Sequence, residues 1–501
     1  MIFKSRHFVT TIAFLLVTLI VAPVFAESKK MSTDALVIGA AASGLCAALT
    51  IAEGGAQVVM LEKLPMPGGT SNFAEGLFAV ESHLQRKEKI GLTRDEAFLR
   101  HMSNTNWRAN ARLVRAYIDK SADSIDWLEK RGVEFESVAS VFPDGPRTWH
   151  IVKGLGAGLV KPLVDRAMAT GKVTMLLQTP AQKLLTEKGR IVGCIAVDKE
   201  GNEIEILSKT VIVAAGGYTN NAEMVETYVK GGKNAVAAVP LNLVGGPIKM
   251  AWDVGAAPDG LGVVMAIVGV TGETIDSQLL AAAAQPALWV NRKGKRFCDE
   301  NLFFNFPFAA NALANQPDGV AYCIFDESLK NKWIQQGIDT ALGQYVPVDT
   351  RLAQLEEHLA KGIKAGKAFK AGSIEELAEK LMLAPGDLQS TINEYNGYCD
   401  SGHDALFVKD RRLLHSLKTP NFYAIKLTVQ ILTTLGGIKI NEHTQVLDKD
   451  SEIIPGLFAV GNCAGGMYGD SYELETSGGA FGFAVNSGRI AGENALKLIK
   501  E

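Results

Sequence analysis

Residues 34–61 spell one strand, helix, strand unit. Ala35-Leu36-Val37-Ile38 is an unbroken apolar run of strand length, residues 44–53 repeat their apolar positions at helical spacing, and Gln57-Val58-Val59-Met60-Leu61 is a second apolar run. An amphipathic stretch at 109–130 sets Leu113, Tyr117, Ile118, Ile125 and Leu128 near one face and predicts a helix packed on a core. Apolar and polar residues then alternate at 182–186, 190–197 and 203–207, joined by Lys188-Gly189 and Glu200-Gly201-Asn202, which predicts a β-meander leading into a strand at 210–214. Past about residue 265 the alternation of strands and glycines thins. Helical spacing takes over at 328–336, 374–380 and 387–395, and strands and glycines return at Gly436. The pattern predicts an α/β protein with a nucleotide-binding domain in two parts, 27–264 and 433–501, and a capping domain inserted at 265–432.

At 501 residues the chain exceeds what one hydrophobic core usually organises, in line with that division. Its 50 glycines suit many tight turns and close approaches of backbone to a ligand. Residues 1–26 read as a secretory leader: Lys4 and Arg6 supply the positive start, 12–21 the apolar centre, and Val24-Phe25-Ala26 the cleavage signal. The alternative is an uncleaved anchor, but the apolar stretch is short for a span and runs into Pro23 and the polar Glu27-Ser28-Lys29-Lys30. Cleavage would start the mature chain at Glu27 and make it periplasmic. With no twin-Arg pair, the general export route is implied. Without Lys4 and Arg6 the 51 basic residues fall to 49 against 54 acidic, which leaves no basic footprint for nucleic acid. Six scattered cysteines (46, 194, 298, 323, 399, 463) form no CxxC pair and no CxxCH haem-attachment sequence, so a disulfide framework and covalent haem are not expected, nor is a metal site.

The first chemical motif is Gly39-Ala40-Ala41-Ala42-Ser43-Gly44 between strand and helix, with Glu62 ending the next strand 23 residues after Gly39. Gly39 permits the tight turn, Gly44 lets helix and strand pack closely, the helix start faces a pyrophosphate and Glu62 accepts from a ribose. Ala41 replaces the middle glycine. This motif alone does not choose between NAD and FAD. Four further segments do: Pro67-Gly68-Gly69-Thr70-Ser71 with Ala74-Glu75-Gly76, Val211 onward to Ala215-Gly216-Gly217-Tyr218, Gly436-Gly437-Ile438-Lys439-Ile440, and Ile454-Pro455-Gly456 onward to Gly461-Asn462. In this order they resemble the FAD-binding elements of the fumarate reductase/succinate dehydrogenase flavoprotein family, from about residue 32 to 500, and Gly294-Lys295-Arg296-Phe297 and Tyr322-Cys323-Ile324-Phe325-Asp326 resemble its cap.

The resemblance implies a Rossmann-like FAD-binding domain with an inserted α+β capping domain. It implies FAD contacts at Gly39, Ala42, Ser43, Gly44, Glu62, Lys63, Gly69, Thr70, Ser71, Glu75, Gly76, Ala181, Ala215, Gly216, Gly217, Gly461, Asn462, Gly479 and Ala480. The histidine that carries covalent flavin in membrane-bound relatives is replaced by Thr70-Ser71, which implies dissociable FAD. Read on its own, Gly478-Gly479 opens a glycine-rich helix whose first amides could stabilise a reduced flavin; close packing on a sheet would use the same glycines. The family's dicarboxylate-binding positions are changed. Phe304 or a neighbour stands where a cap arginine donates the proton, Leu432-Thr433 where a histidine is expected, and Glu475 or Thr476 where an arginine holds a carboxylate. A dicarboxylate would be buried there unpaired, at a cost on the order of several kcal/mol, and with Phe303, Phe304, Phe306 and Phe308 nearby an aromatic or apolar substrate fits better, unless those rings are cap core. Candidate proton donors are Tyr472, in the loop from Gly469 to Gly479, and His150; the plain alternatives are a tyrosine packed on its loop with the hydroxyl in water and a structural or solvated histidine. The expectation is an FAD oxidoreductase of the CH–CH class that reduces an activated C=C bond other than fumarate's, fed by a separate donor such as a cytochrome or quinol-linked protein. A ketone dehydrogenase of ketosteroid type and a non-catalytic flavin carrier are the rivals.

Overall fold

The computed structural model describes residues 29–501 apart from 143, 240, 275 and 343–345; the expected leader and its cleavage site lie outside them. Strands Ile453–Ala459, Glu203–Val213, Lys29–Ile38, Val58–Leu61 and Val173–Leu176 lie side by side in one parallel array, in that order, with Ala35 opposite Val58 and Ile38 opposite Leu61. The apolar runs read from the sequence are its buried centre: Leu36, Val37, Val211 and Ile212 are inaccessible to solvent. Helix Ala42–Glu53 follows the first strand and packs on the C-terminal helix Gly479–Lys500. That contact depends on glycine, since a Cβ at Gly488 would lie 2.2 Å from the Ser43 carbonyl oxygen.

The meander forms as Ala181–Glu187, Arg190–Val197 and Glu203–Val213, and its third strand continues without a break into the parallel array. The expected gap before 210 is absent because Leu207-Ser208-Lys209 contains no glycine or proline to interrupt the extended backbone. The amphipathic segment forms helix Ala111–Glu129, capped by Asn110, with Leu113, Tyr117, Ile118, Ile125 and Leu128 buried.

The cap differs more from its sequence pattern. Helices Glu327–Gln335, Ile374–Lys380 and Pro385–Ser401 form where helical spacing stood, but they flank a six-stranded sheet centred on Phe422–Thr434. That strand is buried along nearly its whole length, so it shows no period of two from which a strand could be read. The cap sheet also takes in Val236–Ala237, ahead of the expected boundary at 265, and its central strand runs two residues past 432. Between those strands the chain returns to the nucleotide domain, where Pro258–Asp259 pairs with Gly437–Ile438. Among the described residues no helix is long and apolar enough to cross a membrane.

Candidate active site

At the carboxyl end of the first strand the chain turns through Gly39 at φ +111°, where a Cβ would lie 2.4 Å from the Ala214 carbonyl oxygen. A Cβ at Gly44 would stand 2.0 Å from the Gly39 oxygen, so both positions require glycine. Ala41 needs none. Its backbone is extended at φ −84°, and its methyl group faces Gly69, where even an added Cβ would clear it by 3.7 Å. Glu62 is fixed by two amides, Ala40 N–H to Oε2 at 2.9 Å and Leu64 N–H to Oε1 at 2.9 Å, and keeps lone pairs for ribose hydroxyls. Lys63 beside it donates to the Asn242 carbonyl, and burial lowers its ammonium pKa against the pull of Glu62.

Ser71 Oγ accepts from the Ala42 amide at 3.2 Å, which seats the Gly69-Thr70-Ser71 turn on the helix start. The Thr179 amide donates to the Glu62 carbonyl and brings the segment before Ala181 alongside. Gly76 pairs with Ile151, and the Glu75 carbonyl accepts from Val152. Across the crevice a Cβ at Gly217 would strike Thr434 Oγ1 at 2.0 Å, and one at Gly461 would meet Ser43 Oγ at 2.8 Å; Ala215 and Gly216 lie between strand and cap. Asn462 Nδ2 donates to Thr433 Oγ1 at 2.9 Å, while its Oδ1 is buried without a hydrogen-bond partner. A row of positions that admit no side chain, a poised carboxylate and a waiting acceptor along the strand ends fit a dinucleotide laid across this edge. Thr70-Ser71 offers no imidazole for attachment.

The crevice ends at the first turn of the C-terminal helix. Gly478 has φ +91°, and a Cβ there would meet the Phe78 amide nitrogen at 2.5 Å and the Trp149 ring at 2.9 Å. The Ala480 N–H donates to the Tyr472 hydroxyl at 3.3 Å, and a Cβ at Gly479 would lie 3.0 Å from the Tyr468 hydroxyl. Tyr472 and Tyr468 are buried with ring centroids 5.2 Å apart, and burial raises both phenol pKa values well above their ordinary range. Their loop is tied down by His101, which bonds the Met467 carbonyl at 2.8 Å and lies 3.4 Å from Glu473. Burial alone would raise the Glu473 carboxyl, but His101 and Thr476 more than offset it and hold the pKa below its ordinary value.

His150 is placed elsewhere. It is fully buried, with Nε2 2.7 Å from Ser82 Oγ and Nδ1 2.9 Å from the Thr148 carbonyl, so neither nitrogen is free toward the crevice. Strand alternation accounts for this: Trp149 faces Gly478 and His150 faces the opposite side. Proton donation by His150 therefore has no support in this arrangement.

The changed family positions separate. Thr476 points inward and bonds Glu473, whereas Glu475 pairs with Arg100 and Asn104 on the outside, beside a cavity of about 420 Å³ that Glu96 and Arg147 also line. Of the four phenylalanines, Phe303 packs edge-on to Trp289 at 6.3 Å and Phe306 joins the main core, as the cap-core alternative expects. Phe304 is half-buried outside the core clusters, and Phe308 is 46% exposed on the helix Phe306–Ala314, whose Asn311 bonds Ser471 of the tyrosine loop at 3.0 Å. Sequence reasoning missed Tyr468, Trp149 and the His101–Glu473 tether, because each depends on a partner hundreds of residues away or on which face of a strand it takes.

Comparison with known proteins agrees with this geometry. The FAD binding domain family model matches residues 34–478. The chain is 35% identical over 483 residues to the vinyl phenol reductase of Lactiplantibacillus plantarum, covering 94% of this chain and 97% of that one. It is 26% identical over 484 residues to the fumarate reductase (cytochrome) of Shewanella frigidimarina, covering 95% of this chain and 76% of that one. The solved open form of a flavocytochrome c3 fumarate reductase superposes with a TM-score of 0.73 at 27% identity, over 94% of this chain and 79% of that one. FAD is the cofactor, and the chain is an FAD-dependent oxidoreductase of the CH–CH class that belongs to the fumarate reductase/succinate dehydrogenase flavoprotein family.

Proposed function

We propose that this flavoprotein reduces a carbon–carbon double bond conjugated to an aromatic ring, with a vinyl phenol or a close analogue as substrate. The observation that carries the reading is the content of the positions that the family resemblance assigns to dicarboxylate binding: Phe304 or a neighbour, Thr433, and Glu475 or Thr476. Thr433 and Thr476 are engaged with Asn462 and Glu473, Glu475 with Arg100 and Asn104, and none of those positions supplies a positive charge. A carboxylate buried against them would keep its full desolvation penalty, whereas an aryl group loses water at a gain of roughly 25 cal/mol per Å². The 35% identity to a vinyl phenol reductase across nearly both chains supports the same substrate class.

Reduced FAD, when bound, supplies a hydride to the double bond. The chain's residues do the rest: Glu62 and the glycine turns hold the nucleotide, Trp149 offers an apolar wall beside Gly478, and Tyr472 keeps a proton that it can share with a substrate oxygen. Electrons come from a separate donor, which we take to be a cytochrome or a quinol-linked protein. We place the mature enzyme in the periplasm with Glu27 at its N-terminus; N-terminal sequencing of the native protein tests this, and recovery of Met1 in a soluble cytoplasmic fraction refutes it.

The catalytic reading is tested by photoreducing the purified protein and adding 4-vinylphenol, an aryl acrylate, urocanate, a steroid enone and fumarate in turn. Fast reoxidation by 4-vinylphenol is expected. Preference for the enone would favour the ketone dehydrogenase, and reoxidation by none would favour a flavin carrier.

A further inference from the structure

We propose that the hydroxyls of Tyr468 and Tyr472, at the head of the C-terminal helix, form the receptor for the phenolic oxygen of the substrate, and that reduction proceeds through loss of that oxygen's proton. The inference rests on the vinyl phenol reading above.

The chemistry sets the requirement. A vinyl phenol has no carbonyl or carboxylate to draw electrons from its double bond; its ring oxygen instead pushes electrons through the ring toward the terminal carbon. Water gives a proton to the terminal carbon and takes up the proton that the phenol O–H releases, so one C–H bond forms, one O–H bond breaks and a neutral quinone methide is left. Hydride from the reduced flavin then adds at the benzylic carbon, the ring regains its aromatic sextet and the electron pair returns to oxygen, which takes a proton back. One hydride and one proton are consumed overall and the flavin is oxidised. The enzyme must therefore hold one oxygen as phenol, carbonyl and phenolate in succession, which calls for neutral donors that keep their protons.

The structure offers such a place. The Tyr468 hydroxyl is buried, at 5% exposure for the residue, and has no hydrogen-bond partner among the described residues. The Tyr472 oxygen accepts from the Ala480 amide, so its own hydrogen is free to donate. Both hydroxyls converge on Gly479, where a Cβ would lie 3.0 and 3.6 Å from them. The first amides of a 22-residue helix add the positive end of its dipole. Among the described ion pairs, the buried one on this loop is His101 with Glu473 at 3.4 Å, so His101 is already engaged and not turned toward a substrate carboxylate. Burial raises both phenol pKa values, which keeps both donors protonated across the working range.

A carbonyl oxygen of the flavin itself would match the same donors, and the test separates the two. Wild type, Tyr468→Phe and Tyr472→Phe are prepared as holoenzymes. FAD affinity, the flavin midpoint potential and the affinity for the product analogue 4-ethylphenol are measured for each. The receptor predicts about tenfold weaker 4-ethylphenol binding in Tyr468→Phe, the usual effect of one hydrogen bond, with FAD affinity and potential unchanged. It also predicts that the wild type reduces 4-vinylphenol but not its O-methyl ether. A shift in potential or FAD affinity with 4-ethylphenol binding intact assigns the tyrosines to the cofactor and overturns the proposal, as does equal reduction of the ether. Failure of the wild type to reduce 4-vinylphenol at all overturns the substrate reading and this inference together; success with unaltered binding in Tyr468→Phe overturns the inference alone.

Discussion

Lowering the pH should destabilise the fold through His150, and replacing that histidine should remove the effect. Burial lowers its pKa from the ordinary 6.5 to about 4, opposed by the hydrogen bond to the Thr148 carbonyl. The native state therefore holds the neutral ring, while the unfolded chain takes up a proton below pH 6.5. Stability rises with pH wherever the unfolded state binds more protons, so this contribution is complete above 6.5 and is lost as the pH falls through 4. Between pH 7.5 and 4.5 the loss comes to about 2.5 kcal/mol, from the two pKa values and the linkage relation. Carboxylates titrate over the same range, so the informative quantity is a difference of differences: urea midpoints of wild type and His150→Gln, each at pH 7.5 and 4.5. A glutamine side chain there can still bond Ser82 but does not titrate. The variant should start less stable and lose about 2.5 kcal/mol less on acidification. Parallel losses would mean that the ring is not held neutral. The same variant should turn over substrate at close to the parental rate at pH 7.5; a fall of two orders of magnitude with FAD bound would return His150 to the chemistry.

Acid precipitation should leave yellow FAD in the supernatant, because Thr70-Ser71 carries no attachment nucleophile; fluorescence migrating with the denatured polypeptide would refute this. Fumarate should turn over far below the roughly 10 per second usual for enzymes, and a rate of that order would show that Phe304, Thr433 and Thr476 do not line the site. Tyr472→Phe should keep the fold and FAD but lower turnover of 4-vinylphenol by about two to four orders of magnitude; parental turnover would exclude a role in proton handling. Gly44→Val should lose most of its flavin, since even a Cβ would stand 2.0 Å from the Gly39 oxygen, and an unchanged ratio of flavin to protein absorbance would show that the turn can shift.

The nucleotide-binding half was legible because its signals are local. The turn at Gly39, the helix at Gly44 and the acid at Glu62 fall within one strand, helix, strand unit, and steric rules fix what each residue can be. The cap was legible only in its helices. The strand Phe422–Thr434 is buried along both faces, and a continuous apolar run does not declare its period. At the site, the sequence pointed to Tyr472 through its place in a glycine-bounded loop but gave no sign of Tyr468, whose role depends on where a folded loop sets its hydroxyl relative to Gly479. His150 shows the limit from the other side: a polar residue in a promising segment is half a turn of the pleat away from the crevice, and one strand position decides between chemistry and core.

The cap's buried charges fix the segment that carries Phe304. Glu300 accepts from Arg296 at 2.8 and 2.9 Å and from Lys409 at 2.9 Å, while Arg296 also pairs with Asp404 at 2.8 Å. All four side chains are buried and their charges cancel, and although burial opposes ionisation of Glu300, Lys409 and Arg296 hold its pKa below the ordinary value. Removing one member would strand a buried charge, at about 3–5 kcal/mol, so the cluster pins the short turn Glu300–Phe304 to the cap core from behind. Phe304, at the other end of that turn, is then positioned by charges it does not touch. The anchoring charge and Phe304 sit four positions apart on one turn and answer to different neighbours. A change of polarity at 304 therefore leaves the network at 300 intact.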